Sequence, residues 1–366
     1  MSSVCYKPSE LDSTELQVWL ENVRNLGKEY RLKRNRYNRN IVQEAATQNR
    51  KDVIADVFKM CSHQEVLELL STLDDSQRSP LMLAATSDAP EVLEELLKST
   101  KLEDSLTLLK QQDRFGCTVA HLCTSMSTMR HLIKFCSQHP DDWFELLKQV
   151  DEDDKTAIHY AAENKSAEMI SAMLESLSAD QCYSLLLLKG TDESFIPSSW
   201  TALQVAVSQG SDNCLQRMLR KFEDQNRRYN LLASRDSAGE NVLHLAMENN
   251  HSNCIKVILK EISSEKLSEF LALTSDSETT VLHNAARVGF KNGIEMIMDA
   301  LPMEDASKVL SKQNALGLTA LDVAIKYHPG DAELTRILTK NRITCSNGKL
   351  RYSVLTSHVL RATTVD

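Results

Sequence analysis

The sequence has little of what marks membrane, secreted or nucleic-acid-binding proteins. Its densest apolar run, Leu185 to Leu188, is far shorter than the ~18 residues that a membrane span needs, and Met1 to Cys5 lack the apolar core of a secretory signal. The nine cysteines form no CxxC pair, which favours a reducing compartment. A net charge of −9 argues against nucleic-acid binding, because phosphate contacts need clustered lysine and arginine. We therefore expect a soluble cytoplasmic protein.

Motifs of catalysis are absent as well. The chain contains no glycine-rich phosphate loop, no nucleophile elbow and no HExxH pair. We expect no catalytic residue, no cofactor and no metal ion. An enzyme site would have to be built on the repeats that fill most of the chain.

Most of the sequence consists of variations on one six-residue stretch. It reads Asn241-Val242-Leu243-His244-Leu245-Ala246 in one copy and Thr280-Val281-Leu282-His283-Asn284-Ala285 in the next. Copies begin at positions 79, 118, 156, 201, 241, 280 and 319, with a degenerate copy at 40, so the steps are 39, 39, 38, 45, 40, 39 and 39 residues. Evenly spaced copies of this kind predict a protein of stacked repeats.

Each repeat predicts two helices when its residues are numbered from the first position of the stretch, here called the cap position. Small or apolar residues follow at +2, +4 and +5, and a second apolar cluster begins at +13, as in Cys254 to Leu259. Asp at −5 and Gly at −2 recur upstream, as Asp113 with Gly116 and Asp236 with Gly239. Glycine at −2 permits positive φ in a tight turn.

These features resemble the ankyrin repeat family, whose signature Asp-x-x-Gly-x-Thr-Pro-Leu-His-Leu-Ala-Ala has a 33-residue period. The resemblance covers roughly residues 38 to 340. The family threonine and histidine are kept at Thr118, Thr156, Thr201, Thr280, Thr319, His121, His159, His244 and His283. The resemblance implies that these histidines join neighbouring turns by hydrogen bonds.

Departures from the family pattern refine the expected fold. Only Pro80 keeps the family proline, and glycine at +9 survives only as Gly210 and Gly289. Each repeat is about six residues longer than the family norm, and the added length carries an apolar pair such as Phe270-Leu271 that predicts a third short helix. We expect an all-α, ankyrin-type solenoid of about eight helix-pair repeats, each with an extra helix in its connector and a cap at both ends. Such long repeats resemble ankyrin proteins that intracellular bacteria secrete into host cells.

The segments outside the repeats divide the chain into expected regions 1–37, 38–340 and 341–366. A helix is predicted from Asp12 onward, with Leu16, Trp19, Leu20 and Val23 on one face. It either covers the first repeat or presents Trp19 to a partner. The C-terminal region is predicted to cap the last repeat, with a β-hairpin at Asn347-Gly348.

The one basic region is Lys28 to Lys51. Within it, Lys33-Arg34-Asn35-Arg36 is either a solvated helix face or a patch for nuclear import or for an anionic surface.

Two sets of residues look like metal sites but are expected to be structural. The recurring histidines lie one repeat apart, ~10 Å for packed helices, whereas the ligands of one metal ion lie ~2 Å from it. Cys117, His121 and Cys123 have a ligand-like spacing, but His121 and Cys123 occupy the repeated +3 and +5 positions. Cys214 and Cys254 both lie at +13, where the core needs a modest hydrophobe.

The 45-residue step contains an insertion over residues 189–200, which carries Phe195 and Trp200 among turn-forming residues. It is either a functional loop or a segment that folds back on its own repeat.

The sequence predicts a non-catalytic, monomeric scaffold or adaptor that binds a partner protein on the concave face. Family binding surfaces use the variable positions −4, −3, −1, +7 and +8. With the insertion added, the predicted partner-binding residues are Arg114, Phe115, Glu152, Asp153, Lys155, Glu163, Phe195, Trp200, Glu240, Glu248, Arg287 and Tyr327. The acidic members are expected to form a stripe and the aromatic members to act as anchors. Three alternatives stay open: a secreted effector that binds a host protein in the host cytoplasm, an enzyme or cofactor binder with a site at residues 189–200, and the cytosolic repeat segment of a larger assembly.

Overall fold

The computed structural model describes residues 13–137, 139–192 and 198–339. Two helices precede the repeats, α1 (Ser13–Leu26) and α2 (Lys28–Leu32). The repeats that start at 40, 79, 118 and 156 form α3 (Ile41–Thr47), α4 (Lys51–Lys59), α5 (His63–Ser71), α6 (Pro80–Thr86), α7 (Pro90–Lys98), α8 (Leu102–Leu109), α9 (Val119–Leu122), α10 (Met126–Cys136), α11 (Pro140–Leu147), α12 (Ala157–Glu163), α13 (Ala167–Glu175) and α14 (Ala179–Leu186).

The 45-residue step adds two strands, and the remaining repeats follow. The strands are β1 (Lys189–Asp192) and β2 (Ser198–Thr201). The repeats that start at 201, 241, 280 and 319 form α15 (Ala202–Ser208), α16 (Asp212–Leu219), α17 (Gln225–Leu232), α18 (Val242–Glu248), α19 (Ser252–Glu261), α20 (Ser264–Leu271), α21 (Val281–Val288), α22 (Lys291–Ala300), α23 (Met303–Ser311), α24 (Ala320–Tyr327) and α25 (Ala332–Thr339). The predicted all-α ankyrin-type fold, including the third helix of each connector, is confirmed.

Each cap position begins the first helix of its repeat for a local chemical reason. The Thr201 hydroxyl accepts a hydrogen bond from the Gln204 N–H, and the Gln204 amide oxygen accepts one from the Thr201 N–H at 2.8 Å. This reciprocal cap satisfies two donors that a helix N-terminus would otherwise leave unpaired. The same arrangement begins α3, α9, α18, α21 and α24.

The end of the first helix explains why most family glycines at +9 are missing. The +9 residue takes a left-handed backbone at Asn49, Asp88, Lys165, Gly210, Asn250 and Gly289, and asparagine and aspartate tolerate this conformation better than most residues. Glycine remains where a histidine ring of the next repeat lies close. A Cβ at Gly210 would stand 2.8 Å from the His251 ring, and one at Gly289 would stand 3.1 Å from the His328 ring.

The repeat that starts at Thr118 differs from the others because its first helix, α9, is only four residues long. Ser125 accepts a hydrogen bond from the Thr128 N–H at 3.2 Å and so begins α10 early. The Ser125 and Thr128 hydroxyls also donate to the Asp88 carboxylate of the preceding repeat.

The chain divides into two compact units: residues 1–161 with 168–185, called unit 1, and residues 162–167 with 186–366, called unit 2. In unit 1, α3 packs on α6 and α6 on α9, while α4 packs on α7 and α7 on α10. In unit 2, α15, α18, α21 and α24 stack in order, as do α16, α19, α22 and α25. Within each unit, like helices therefore stack on like helices.

The predicted N-terminal helix is present as α1, and it buries Leu16, Leu20 and Val23 against α3 and α4. The interpretation of Lys33 to Arg36 as a helix face is wrong, because α2 ends at Leu32. Asn35 accepts hydrogen bonds from the N–H groups of Tyr37 and Arg39, which makes this segment a turn. The predicted hairpin at Asn347-Gly348 lies outside the described residues.

Candidate partner-binding surface

The loops before the cap positions are held by one recurring turn. Asp113, at −5, accepts hydrogen bonds through Oδ1 from the N–H groups of Phe115 and Cys117 at 2.9 and 3.0 Å. Asn35, Asp74, Asp151, Asp236 and Asn314 make the same turn. Gly116, at −2, has a φ of 76°, and a Cβ there would lie 2.9 Å from the Asp151 Cα of the next loop. Successive loops therefore run in close contact.

Backbone hydrogen bonds also join the tips of successive loops. The N–H at −4 donates to the carbonyl at −3 of the preceding loop. In unit 1, Arg114 donates to Ser76 at 3.2 Å and Glu152 to Phe115 at 3.0 Å. In unit 2, Asp276 donates to Ala238 at 3.0 Å and Ala315 to Ser277 at 3.1 Å. Side chains at the tips thus project from a fixed backbone, which lowers the entropy cost of binding a partner.

The predicted residues on the tips of unit 1 present one apolar ring among charges. Phe115 is 46% exposed, and the Arg114 guanidinium lies 4.7 Å from its ring centroid. The Lys155 ammonium lies 3.9 Å from the Asp153 carboxylate, so these two predicted residues partly neutralise each other. Glu152 is exposed.

Trp200 occupies a position at which other repeats place a structural hydrogen-bond donor. At −1, the Arg39 and Arg78 guanidinium groups donate to Asp74 Oδ2 and Asp113 Oδ2 of the next loop, both at 3.1 Å. In its own repeat, the Trp200 indole N–H donates to Asp236 Oδ2 at 3.1 Å. The half-buried Trp200 side chain therefore joins two loops.

The described part of the insertion is an antiparallel pair of strands that contacts the loop at residues 235–236. Strands β1 and β2 pair antiparallel, with Gly190 opposite Trp200. The Lys189 ammonium donates to the Arg235 carbonyl at 2.6 Å. Phe195 lies outside the described residues, so its predicted role stays a prediction.

The predicted acidic residues of unit 2 are also partly balanced. Glu248 lies 2.5 Å from the Arg287 guanidinium, and the half-buried Glu240 accepts a hydrogen bond from the Asn284 amide at 3.0 Å. Burial raises the pKa of Glu240 above its usual range, and the nearby Glu248 and Asp236 charges act in the same direction. Glu163 is half-buried at the end of α12. A continuous acidic stripe stays a prediction.

The histidines at +3 are structural. In unit 1, His121 Nδ1 accepts from the Thr118 N–H at 3.1 Å, and Nε2 donates to the Lys155 carbonyl at 3.0 Å. In unit 2, His244 and His283 donate through Nε2 to the carbonyls of Thr279 and Leu318 at 3.1 and 2.9 Å. Each acceptor is the −1 residue of the next repeat, so these rings connect successive turns.

Burial disfavours the thiolate form of the ligand-like residues Cys117 and Cys123. Burial raises the pKa of Cys117 to about 11 and that of Cys123 to about 12. The Tyr160 hydroxyl, 3.5 Å from the Cys117 sulfur, donates to Asp151 Oδ2 at 2.7 Å. In the described residues, no three His, Cys, Asp or Glu side chains are placed to hold a metal ion.

The predicted partner-binding residues omit Leu316, although it lies at one of the offsets used for that prediction. Leu316 is 74% exposed and lies at −3, the same offset as Phe115. Tyr327, which was predicted, is 51% exposed at +8. The shared offset was the available signal for Leu316.

Comparisons with known proteins agree with the repeat geometry. Residues 178–269 match the family model described as ankyrin repeats in three copies. The human transient receptor potential cation channel subfamily A member 1 is 24% identical over 230 residues, which is 63% of this chain and 18% of that protein. The chain thus spans less than a fifth of the length of this curated relative.

Among solved structures, the ankyrin repeat domain of Bcl-3, described as a unique member of the IkappaB protein family, is similar at 18% identity and a TM-score of 0.47. The match covers 81% of this chain and 96% of that domain. No described helix is long and apolar enough to traverse a bilayer. Ankyrin repeats generally serve as protein–protein interaction modules and are typically non-enzymatic. The match over residues 178–269 and the recurring capped helix pairs both support an ankyrin repeat family for this chain.

Proposed function

We propose that this protein is a non-catalytic scaffold that binds a partner protein through its loop tips and the ends of its first helices. We call these positions the tip surface of each unit, which comprises Arg114, Phe115, Glu152 and Asp153 in unit 1 and, separately, Glu248, Arg287, Leu316 and Tyr327 in unit 2. A concave site for one monomeric chain is part of this proposal, as is a cytoplasmic location. The seven described cysteines are free, which supports a reducing compartment.

One observation carries the proposal. In the described part of the chain, the exposed large hydrophobic side chains are Val18, Phe115, Leu316 and Tyr327. Three of these four belong to the tip surface, although a surface residue has no folding reason to be large and apolar. Rigidly held, exposed aromatic and aliphatic groups rimmed by charges are typical of residues that anchor a protein interface.

The insertion-site enzyme and the secreted effector gain no separate support. In the described strands, Trp200 and Lys189 serve contacts to residues 235–236. These contacts support the interpretation that the insertion folds back on the repeats.

Affinity capture with quantitative mass spectrometry tests the proposal. The bait is the full chain, the test variant is Phe115→Ser/Leu316→Ser/Tyr327→Ser, and the control is Lys256→Ser/Lys260→Ser, which changes two exposed residues of α19 outside the tip surface. We expect the triple variant to lose about 90% or more of a specific partner, since anchor residues carry ~2 kcal/mol or more each. The control should retain that partner. If the triple variant captures the same proteins at the same levels, the tip surface is not the binding site.

A further inference from the structure

The fourth exposed hydrophobe, Val18, lies in a groove at the N-terminal end of unit 1. The groove has a volume of about 440 Å³ and is lined by α1, α2 and the turn after α2. Val18 is 56% exposed, and Trp19 and Tyr30 lie beside it. The Trp19 indole N–H donates to the Tyr30 carbonyl at 3.1 Å, which fixes α1 relative to α2. The apolar part of the groove is therefore preformed.

Positive charge is concentrated at the edge of this groove. Most other basic residues of the region have carboxylate partners: Arg31 with Glu65, Arg39 with Asp74, Arg50 with Asp52 and Lys51 with Glu95. Lys33 and Arg34 line the groove, are exposed, and form no ion pair with a carboxylate in the described residues.

Both cations are also held in place. The Lys33 ammonium lies 5.0 Å from the Tyr30 ring centroid. The Arg34 guanidinium donates to the Leu73 carbonyl at 3.1 Å and to the Asn38 carbonyl at 3.3 Å. A neutral carbonyl fixes the guanidinium but leaves its charge uncompensated, in a chain whose net charge is −9. Glu15 also lines the groove, so the two cations leave it with a net positive charge within an acidic protein.

We propose that this groove, the α1 groove, binds a short acidic segment of a partner protein. A large apolar side chain of that segment packs against Val18 and Trp19, and its carboxylates pair with Lys33 and Arg34. Asn22 also lines the groove and offers an amide group that can bond a peptide backbone. A concave site with apolar walls and a few polar groups suits a peptide better than a bilayer, which is contacted by a protruding apolar face. None of the residues that line the α1 groove belongs to the tip surface.

Fluorescence polarisation with the full chain tests this proposal. The probes are fluorescein-labelled peptides with a central leucine, phenylalanine or tryptophan flanked by aspartate and glutamate. One control set replaces the acidic flanks by lysine, and another replaces the central residue by serine. We expect micromolar binding of the acidic apolar peptides and at least about tenfold weaker binding of both control sets.

Three variants locate the site. Lys33→Glu/Arg34→Glu and, separately, Val18→Glu should each weaken binding at least about tenfold. Val18 is exposed, so its replacement leaves the core intact, and circular dichroism checks the fold. Lys256→Glu/Lys260→Glu, an exposed pair on α19, should leave affinity unchanged.

Several results would overturn the proposal. The proposal is wrong if no acidic peptide binds at millimolar concentration, or if the groove variants bind the peptides as tightly as the wild type does. Groove-dependent binding to phosphatidylserine vesicles without peptide binding would assign the groove to a membrane. Groove-dependent dimerisation in light scattering would assign it to a second copy of the chain. The affinity-capture experiment with the tip-surface variant tests the proposed scaffold function independently of the α1 groove.

Discussion

Two kinds of repeat in this molecule use different side chains at +3 to donate the same hydrogen bond to the next repeat. In the repeats that start at 40 and 201, Gln43 and Gln204 donate to the −1 carbonyls of the next repeat, Arg78 at 2.9 Å and Glu240 at 3.1 Å. In the repeats that start at 118, 241 and 280, a histidine ring donates to the equivalent carbonyl. The function of the position is to accept one hydrogen bond from the cap N–H and to donate another to the next repeat.

Met82 and Asp322, two of the other +3 residues, lack one or both of these hydrogen-bonding functions. Met82 cannot donate a hydrogen bond, and it is buried as a core residue instead. Asp322 accepts from the Thr319 N–H and hydroxyl at 2.9 and 2.7 Å, but a carboxylate has no proton to donate onward. Glutamine and neutral histidine therefore make the same pair of hydrogen bonds, and only histidine also titrates.

Removing the connection should have the largest effect. His244→Ala deletes a fully buried ring and leaves the Thr279 carbonyl without this donor. We expect a loss of about 3 kcal/mol in the free energy of unfolding, from the cavity and the lost hydrogen bonds. Urea denaturation followed by circular dichroism measures the loss. His244→Gln should cost less than about 1 kcal/mol at pH 7, and an equal cost for both variants would contradict the proposed role.

The pH dependence of stability should separate the two kinds of repeat. Burial lowers the pKa of His244 to about 4 and also lowers the pKa values of His121 and His283. Histidine in an unfolded chain titrates near ~6.5, so the unfolded state binds more protons as the pH falls from about 6.5 to about 4. Stability is therefore lost in that window and is fully present above it. His244 should contribute about 3 kcal/mol of the loss by pH 4.

Reciprocal variants isolate this contribution from the carboxylates that titrate nearby. Urea denaturation at pH 7.5, 6, 5 and 4 should show a smaller acid loss for His244→Gln than for the wild type. Gln204→His should show a larger one. Parallel pH profiles for all three proteins would mean that the +3 histidines do not cause the acid sensitivity.

A smaller effect is expected at the glycines that face a histidine. Gly210→Ala forces a side chain into a left-handed backbone and against the His251 ring, and should cost about 1–2 kcal/mol. Asn250→Ala, at the same +9 position, meets only the backbone preference and should cost about 1 kcal/mol or less. Thermal unfolding compares the two. In a His251→Ala background the difference should disappear, and its persistence would argue against a steric cause.

The repeat period made the fold predictable because cap residues, small residues and apolar pairs recur at fixed offsets. The third helix of each connector followed from apolar pairs such as Phe270-Leu271, which are buried in α20. The shortened α9 was not predictable from that frame, because Ser125 competes locally as a helix start. The pairing of the insertion strands and the groove at Val18 depend on contacts between elements, which periodicity does not describe.

The candidate site was only partly predictable. The offsets located Phe115 and Tyr327 correctly as exposed residues. They could not show that Glu240 is half-buried with Asn284, or that Glu248 pairs with Arg287, because these contacts cross from one repeat to the next.

The donors at −1 also determine which repeats can be neighbours. Arg39, Arg78 and Trp200 each precede a loop with aspartate at −5, whereas Glu240 precedes a loop with Ser275 at that position. A shuffled chain that placed an aspartate loop after Glu240 would lack this pairing of donor and acceptor. The repeats share one architecture, yet at these three junctions the neighbouring repeats carry matched side chains, so these repeats are not exchangeable modules.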